Sequence, residues 1–240
     1  MRGALTLAVL ALTGAGCVSA SRVPDRGGLI RGILASTVQL RSERDGGVRR
    51  AASGVVVAKD LGSQRTWIVT ARHFVDPSPP EHIYVRLPGR MTVVPAVVAF
   101  VSPDRDLAII EADLLDVAPA RLKMEASLGD DILVVAFPWG QRFTVVKGIV
   151  SQVASLTDVA GPARMVSASV SYGSSGGGVF DAQTGELVGI VEGYRTAKVA
   201  IPEMKERVLE VPVAGETTLI PAPAIFRFLV DSGLSNFLPR

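Results

Sequence analysis

The stretch Ser171-Tyr172-Gly173-Ser174-Ser175-Gly176-Gly177-Gly178-Val179-Phe180 decides how the rest of the chain is read. A serine set between glycines has a chemical use. Glycine permits a tight turn that lifts the hydroxyl out of the chain, and it lets a substrate carbonyl approach the backbone. Backbone N–H groups around such a serine can face a developing oxyanion, often a large source of rate enhancement. A plain Gly/Ser hairpin loop has the same composition, so the stretch needs partners elsewhere. The chain has two histidines, His73 and His82, and both precede Ser175.

Chain order discriminates between the known arrangements. Gly173, Ser175 and Gly177 satisfy G-x-S-x-G, but α/β-hydrolases place the histidine after the serine. Nothing after Ser175 can serve as the imidazole base. Asp45 or Asp60 would allow the order Asp, His, Ser, but subtilisin, which has it, needs strand–helix alternation that this sequence lacks. The order His, Asp, Ser remains, that of chymotrypsin-like barrels. His73 lies just beyond the apolar run Trp67-Ile68-Val69-Thr70, at a rigid strand end. His82 has no partner pattern nearby and reads as a surface or structural residue. Between His73 and Ser175, Asp106 immediately precedes the apolar run Leu107-Ala108-Ile109-Ile110. A carboxylate at the mouth of a buried strand can grip an imidazole N–H. Asp104 reads as a turn former; Asp113 and Asp116 stand in the same group, with Asp130, Asp131 and Asp158 further on.

Around these residues the pattern is one of short strands between turn signals. Thr37 to Arg41, Gly54 to Ala58, Trp67 to Thr70, His82 to Leu87, Thr92 to Val101 and Leu107 to Ala112 form one series. Asp131 to Phe137, Arg142 to Val153, Arg164 to Val170, Gly177 to Phe180 and Leu187 to Val191 form a second. Such spacing predicts an all-β sandwich or barrel. Residues 113–130 read as the linker between the two groups. Pro221 and Pro223 open a helix with Ile225, Phe226, Leu229 and Val230 on one face, closed by Gly233. Residues 202–210 fit either a helical turn or a charged loop.

Composition narrows the function. The 240 residues are 48% hydrophobic and 20% charged, a globular balance. Lys plus Arg is 25 against 23 Asp plus Glu, too even to imply a nucleic-acid partner. One Cys excludes an internal disulfide, and with two His there is little material for a metal site. No metal or other cofactor is expected. Residues 1–20 combine Arg2, an apolar run from Ala4 to Leu12 and small residues, the layout of a secretory signal peptide. Cleavage after Ala20 would discard Cys17. Cleavage before Cys17 would leave a lipidated N-terminus anchoring the chain to membrane, and Leu12 to Cys17 resembles a bacterial lipobox. Residues 21–35, rich in Gly and Arg, read as a tether. Arg41, Arg44, Arg49 and Arg50 read as a solvated loop or a docking patch.

Together these residues resemble the trypsin-like serine proteases, and among them the bacterial HtrA/Deg-like branch. Thr70-Ala71-Arg72-His73 resembles the histidine motif, Asp106-Leu107-Ala108-Ile109 the aspartate motif, and Gly173 to Gly177 the serine motif. Leu128-Gly129-Asp130, Ala136 to Gly140, Gly148 to Ser151 and Gly185 to Ile190 are similar to segments of the second barrel in that branch. The resemblance implies two six-stranded antiparallel β-barrels with a C-terminal helix. Residues 36–235 would form the protease domain, with barrel one at about 36–115, barrel two at about 126–220 and the helix at about 222–233. It implies Ser175 as nucleophile, His73 as base, Asp106 as its orienting carboxylate, and an oxyanion hole from Gly173, Ser174 and Ser175. Ser169, Val170, Val191, Glu192 and Gly193 would line the bound substrate. The wall Ser169-Val170-Ser171 offers no carboxylate, which implies a small or aliphatic residue before the scissile bond. The expected partner is a protein or peptide substrate. The expected location is the bacterial cell envelope or the secreted space. No PDZ domain is expected after about residue 235. A catalytically silent binding module of the same fold is the alternative. Ser174, Tyr172, Phe74 and Gly178 depart from the family pattern. Tyr172 and Gly178 bear on the shape of the oxyanion loop.

Overall fold

The structure, a computed structural model, describes residues 25–76, 80–113, 116–200 and 208–239. The signal segment, Cys17 and residues 202–207 lie outside the described residues. Strands β1 (Thr37–Arg44), β2 (Gly47–Asp60), β3 (Arg65–Thr70), β4 (His82–Arg86), β5 (Val93–Val101) and β6 (Ala108–Asp113) close an antiparallel barrel in the order β1-β2-β3-β6-β5-β4. A two-residue strand β7 (Ala126–Ser127) then pairs with β10 (Ala160–Gly161) outside the barrels. Strands β8 (Asp131–Ala136), β9 (Thr144–Val153), β11 (Ala163–Val166), β12 (Gly178–Asp181), β13 (Leu187–Ala200) and β14 (Val208–Pro221) close the second, in the order β11-β14-β13-β12-β8-β9. The expected fold of two six-stranded antiparallel barrels is the observed one. A C-terminal helix, α2 (Ala222–Asp231), follows.

Burial explains why the inner strands read as unbroken apolar runs. Val56 and Ile68 point into barrel one with Leu40 and Ile110. Their neighbours Val55, Val57 and Val69 point the other way, into a core shared with Leu133, Val135, Phe180 and Ile190 of barrel two. Alternate residues of a strand face opposite sides, so a strand with both sides buried needs an apolar residue at every position. Ile132, Val134, Val150 and Val179 fill barrel two. Ile225 and Leu229 of α2 cover the shared core.

Two expectations are corrected. The tether ends at Asp25, because Arg26–Ser36 form a helix, α1. Ile33 is 3% exposed and Leu29, Ile30 and Leu34 pack beside it on the shared core. The helical spacing of those four residues outweighs Gly27, Gly28 and Gly32 once a tertiary surface is there to receive them. The arginine-rich stretch 41–50 is no loop. It forms the end of β1, a turn, and the start of β2. In addition, β13 runs nine residues past Val191 and pairs with β14 as far as Ala200 and Val208. Its polar outer half gives no apolar signal.

The connector between the barrels is fastened by charge. The Lys123 N–H donates to Leu187 O at 2.8 Å, and its ammonium bridges Asp181 and Asp130. Burial pushes the Asp181 carboxyl up, but Lys123 and the N–H groups of Thr184 and Gln183 outweigh it and hold the carboxyl below the usual value. A carboxylate whose pKa is lower folded than unfolded stabilises the fold above its unfolded value, and loses that contribution as pH falls through the folded one. Asp181→Asn is expected to lose about 1–3 kcal/mol at neutral pH. The gap to wild type should narrow below about pH 4. Urea midpoints measured across that range check both.

Candidate active site

The His73 turn is built by the end of β3. Thr70 closes the strand, and residues Arg72–Phe74 make one turn of 3-10 helix pinned by the buried Phe74. Asp106 ends the turn that follows Ser102, and the fully buried Leu107 anchors it from the other side. These two turns meet. Asp106 accepts from the His73 ring at Nδ1 (2.6 Å) with one oxygen and from the His73 backbone N–H (2.8 Å) with the other. A carboxylate at Nδ1 places the ring proton there and leaves Nε2 as the acceptor. Burial pushes the Asp106 carboxyl up, but the bonds from the His73 ring and backbone, with the charges of His73 and Arg72, outweigh it. The group is held below the usual carboxylate range and is ionised at neutral pH.

Four of the other aspartates have partners of their own. Asp116 faces Arg90, Asp130 faces Lys123, Asp131 pairs with Lys147 and Asp158 takes Ser155. His82 is exposed on β4 beside Tyr84.

The Ser175 loop belongs to barrel two and is tied to barrel one. Ser53 on β2 donates its N–H to Ser175 O at 2.9 Å and its hydroxyl to Gly173 O at 2.9 Å. The same hydroxyl accepts from Phe137 N at 2.8 Å, and Ser53 O accepts from the Thr70 hydroxyl at 2.8 Å. Gly176, at φ +78°, abuts this seam. A Cβ there would collide with Ser53 O and the Thr70 hydroxyl. Ser175 is thereby held against the strand end from which the His73 turn departs. Among the described residues, Ser175 Oγ makes no hydrogen bond. In unliganded sites the bond between nucleophile and base is often long and tightens only on binding.

Within the loop, N–H groups alternate between engaged and free. Ser174 donates to Ser171 O, Gly176 to Val191 O and Gly177 to Ser174 O. The N–H groups of Gly173 and Ser175 donate to no protein group among the described residues. Tyr172 explains the first. Its carbonyl accepts from Trp139 N at 2.7 Å. A trans peptide points its C=O and N–H in opposite directions, so the Gly173 N–H is aimed away from Trp139. Gly173 adopts φ +86°, and a Cβ would meet Trp139 N and Phe137 O. The Tyr172 and Trp139 rings lie 5.4 Å apart over this bond. Gly178 opens β12, pairing with Ile190 and Val135, and stands outside the loop. Ser174 is buried, with its hydroxyl 3.4 Å from the Ser171 N–H.

The residues expected to line a substrate separate into two groups. Val191 is buried, and its N–H and C=O bond Gly177 and Gly176. It supports the serine loop through both its backbone groups. Val170 packs against the barrel-two core, and Ser169 is exposed with its hydroxyl at the Gly215 N–H. Glu192 is exposed at a bulge between Val191 and Gly193. With Asp106, Arg164 and Arg227 it lines a groove of about 520 Å³. No group of three or more His, Cys, Asp or Glu among the described residues is placed to hold a metal ion. Ser53 is a contributor that lies in no motif, because its role is in cross-barrel pairing; Thr70 and Trp139 lie in motif segments, but their contacts across the seam have no local signal.

Two barrels with an imidazole–carboxylate pair on one and a glycine-flanked serine on the other define a serine-protease fold. The comparisons agree. The trypsin-like peptidase domain matches residues 52–190, and the chain belongs to that family. It is 31% identical over 150 residues to the serine endoprotease DegS of Haemophilus influenzae, covering 60% of this chain. The chain spans about two-fifths of that relative, 41% of its length. The serine endoprotease from Yersinia pestis superposes with a TM-score of 0.66 at 20% identity, covering 88% of this chain and 66% of that one. An inactive mutant form of Rv3671c from M. tuberculosis gives 0.63 at 21% identity, covering 85% of this chain and 90% of that one.

Replacing Ser53 with Ala would leave the Phe137 N–H and the Gly173 carbonyl unpaired in a buried seam. Each buried unsatisfied group costs about 1–3 kcal/mol. The expected outcome is a folded protein with a lower denaturant midpoint. An unchanged midpoint would show that the seam does not depend on this hydroxyl.

Proposed function

We propose that the chain is an exported serine endopeptidase acting through Ser175, His73 and Asp106. One observation carries the reading. A bidentate His73–Asp106 pair on one barrel stands with two free N–H groups, of Gly173 and Ser175, on the other.

Each group then has a step. Ser175 Oγ attacks the scissile carbonyl as His73 Nε2 takes its proton. Asp106 stabilises the imidazolium through the Nδ1 bond. The carbonyl oxygen gains negative charge, and the Gly173 and Ser175 N–H groups receive it, with Ser174 holding the loop between them. Collapse breaks the C–N bond, and His73 gives its proton to the leaving amine. Water repeats the sequence on the acyl-enzyme and restores Ser175. A peptide substrate would add as a strand along Glu192 and Gly193. The wall of Ser169, Val170 and Ser171 carries no charge for a basic side chain and suits a small or aliphatic residue before the scissile bond. Ser174 is neutral, so the loop has no carboxylate to be balanced by a freed N-terminal amine. Residues 1–20 serve export, and cleavage before Cys17, rather than after Ala20, would make that residue the lipid attachment point in the cell envelope.

Fluorophosphonate labelling of the purified protein beside Ser175→Ala tests the reading. Labelling is expected in the wild type and absent in the variant. Asp106→Asn should lower kcat by about four orders of magnitude, because the imidazole tautomer is no longer fixed. A folded wild type that resists labelling would sink the peptidase and favour the silent binding module. A peptide profile dominated by Arg or Lys before the scissile bond would overturn the pocket assignment.

A further inference from the structure

The arginines of the sequence that the triad does not use include Arg50 and Arg72. Both end on backbone carbonyls of the candidate site. Arg50 reaches across from β2 and donates from Nη1 to His73 O (2.9 Å), Phe74 O (3.2 Å) and Asp76 O (3.1 Å). Arg72, immediately before His73, donates from Nη1 to Ser102 O (3.0 Å) and Pro103 O (3.1 Å), on the turn that leads to Asp106.

We infer that Arg50 and Arg72 are positioning residues for the His73–Asp106 pair, clamping the two turns that carry the imidazole and the carboxylate. The inference rests on the peptidase reading for its catalytic consequence. The physical need is plain. A single 3-10 turn leaves its last carbonyls without intrahelical partners. Here the N–H groups of Val75 and Asp76 both go to Arg72 O, and among the described residues no backbone N–H reaches the carbonyls of His73, Phe74 and Asp76. A guanidinium supplies several donors in a fixed plane and a full charge at the negative end of the turn. Arg50 therefore ties the His73 turn to β2. Three residues on, the same strand carries Ser53, which holds the Ser175 loop. Arg72 ties the His73 turn to the Asp106 turn, independently of the bond between the two side chains. Neither arginine touches the position of a reacting atom. Each acts by limiting the drift of a group that must stay aligned, where a displacement near 1 Å can cost roughly a hundredfold in rate.

The test compares wild type, Arg50→Ala and Arg72→Ala by three measurements. These are the fluorophosphonate labelling rate resolved into kinact and KI, the far-downfield proton resonance of the His73 Nδ1–H, and the melting temperature. Expected for each variant is a fall in kinact of roughly 10- to 100-fold with KI little changed. The downfield resonance should shift or broaden. Methylguanidinium added to Arg50→Ala should recover part of kinact, which a merely structural arginine would not predict. Should an alanine variant fail to fold, Arg50→Lys and Arg72→Lys replace it, with partial retention of kinact expected. Wild-type kinact and resonance in folded variants would overturn the inference. If the wild type is not labelled at all, the peptidase reading fails, and the resonance alone decides the clamp. Its loss in the variants supports the clamp, and its persistence unchanged refutes it.

Discussion

The architecture turns on the hydrogen bonds of one buried serine. Ser53 lies on β2 of the first barrel, yet its N–H and hydroxyl fix Ser175 O, Gly173 O and Phe137 N of the second. Apolar packing between the barrels is strong but non-directional. It brings two surfaces together without setting their angular relation. Hydrogen bonds have narrow geometry, and here they set that relation. A loop on one barrel can then face a turn on the other with the accuracy that proton transfer needs. Gln39 and Arg41 of β1 reinforce the seam by reaching the carbonyls of Gln141 and Gly140.

This arrangement also accounts for the glycines around the serine. Gly176 leaves room for Ser53 O and Thr70, and Gly173 leaves room for Trp139 N, so that the Tyr172 carbonyl can be held away from the loop interior. Tyr172 and Trp139 are both more than half exposed, unusual for large aromatic rings. Their backbones, rather than their rings, shape the loop. At Tyr172, where the sequence departs from the family pattern, the contact to Trp139 N is made by the carbonyl, an atom every residue has.

The fold and the candidate residues were legible to different depths. The His73–Asp106 pair that the structure shows was marked by order and local pattern, an imidazole beyond a strand end and a carboxylate before one, as was Ser175, a serine among glycines. The strand series was legible because both faces of the inner strands are buried. What escaped reading depends on distant partners. Helix α1 has a helical apolar period, but its glycines and arginines mask it until the shared core is in place. The outer half of β13 pairs with β14 while showing polar side chains to solvent. Val191, expected on the strand beside the substrate, also turns its side chain into the barrel-two core, since one residue of register decides which face a strand residue occupies. Ser53, Arg50 and Arg72 carry no local signature, because their partners are backbone carbonyls and N–H groups that any sequence supplies.

Helix α1 has a consequence for reach. Read as a tether, residues 21–35 would have let the two barrels range widely from a lipid at Cys17. With Arg26–Ser36 docked on the shared core, only Val18 to Asp25 separate Cys17 from the body. Eight residues, fully extended, span roughly 28 Å. A lipid at Cys17 would thus confine the protein to a thin layer above the bilayer. On the proposed peptidase reading, the chains within its reach would be those that come within that layer, whatever their side chains.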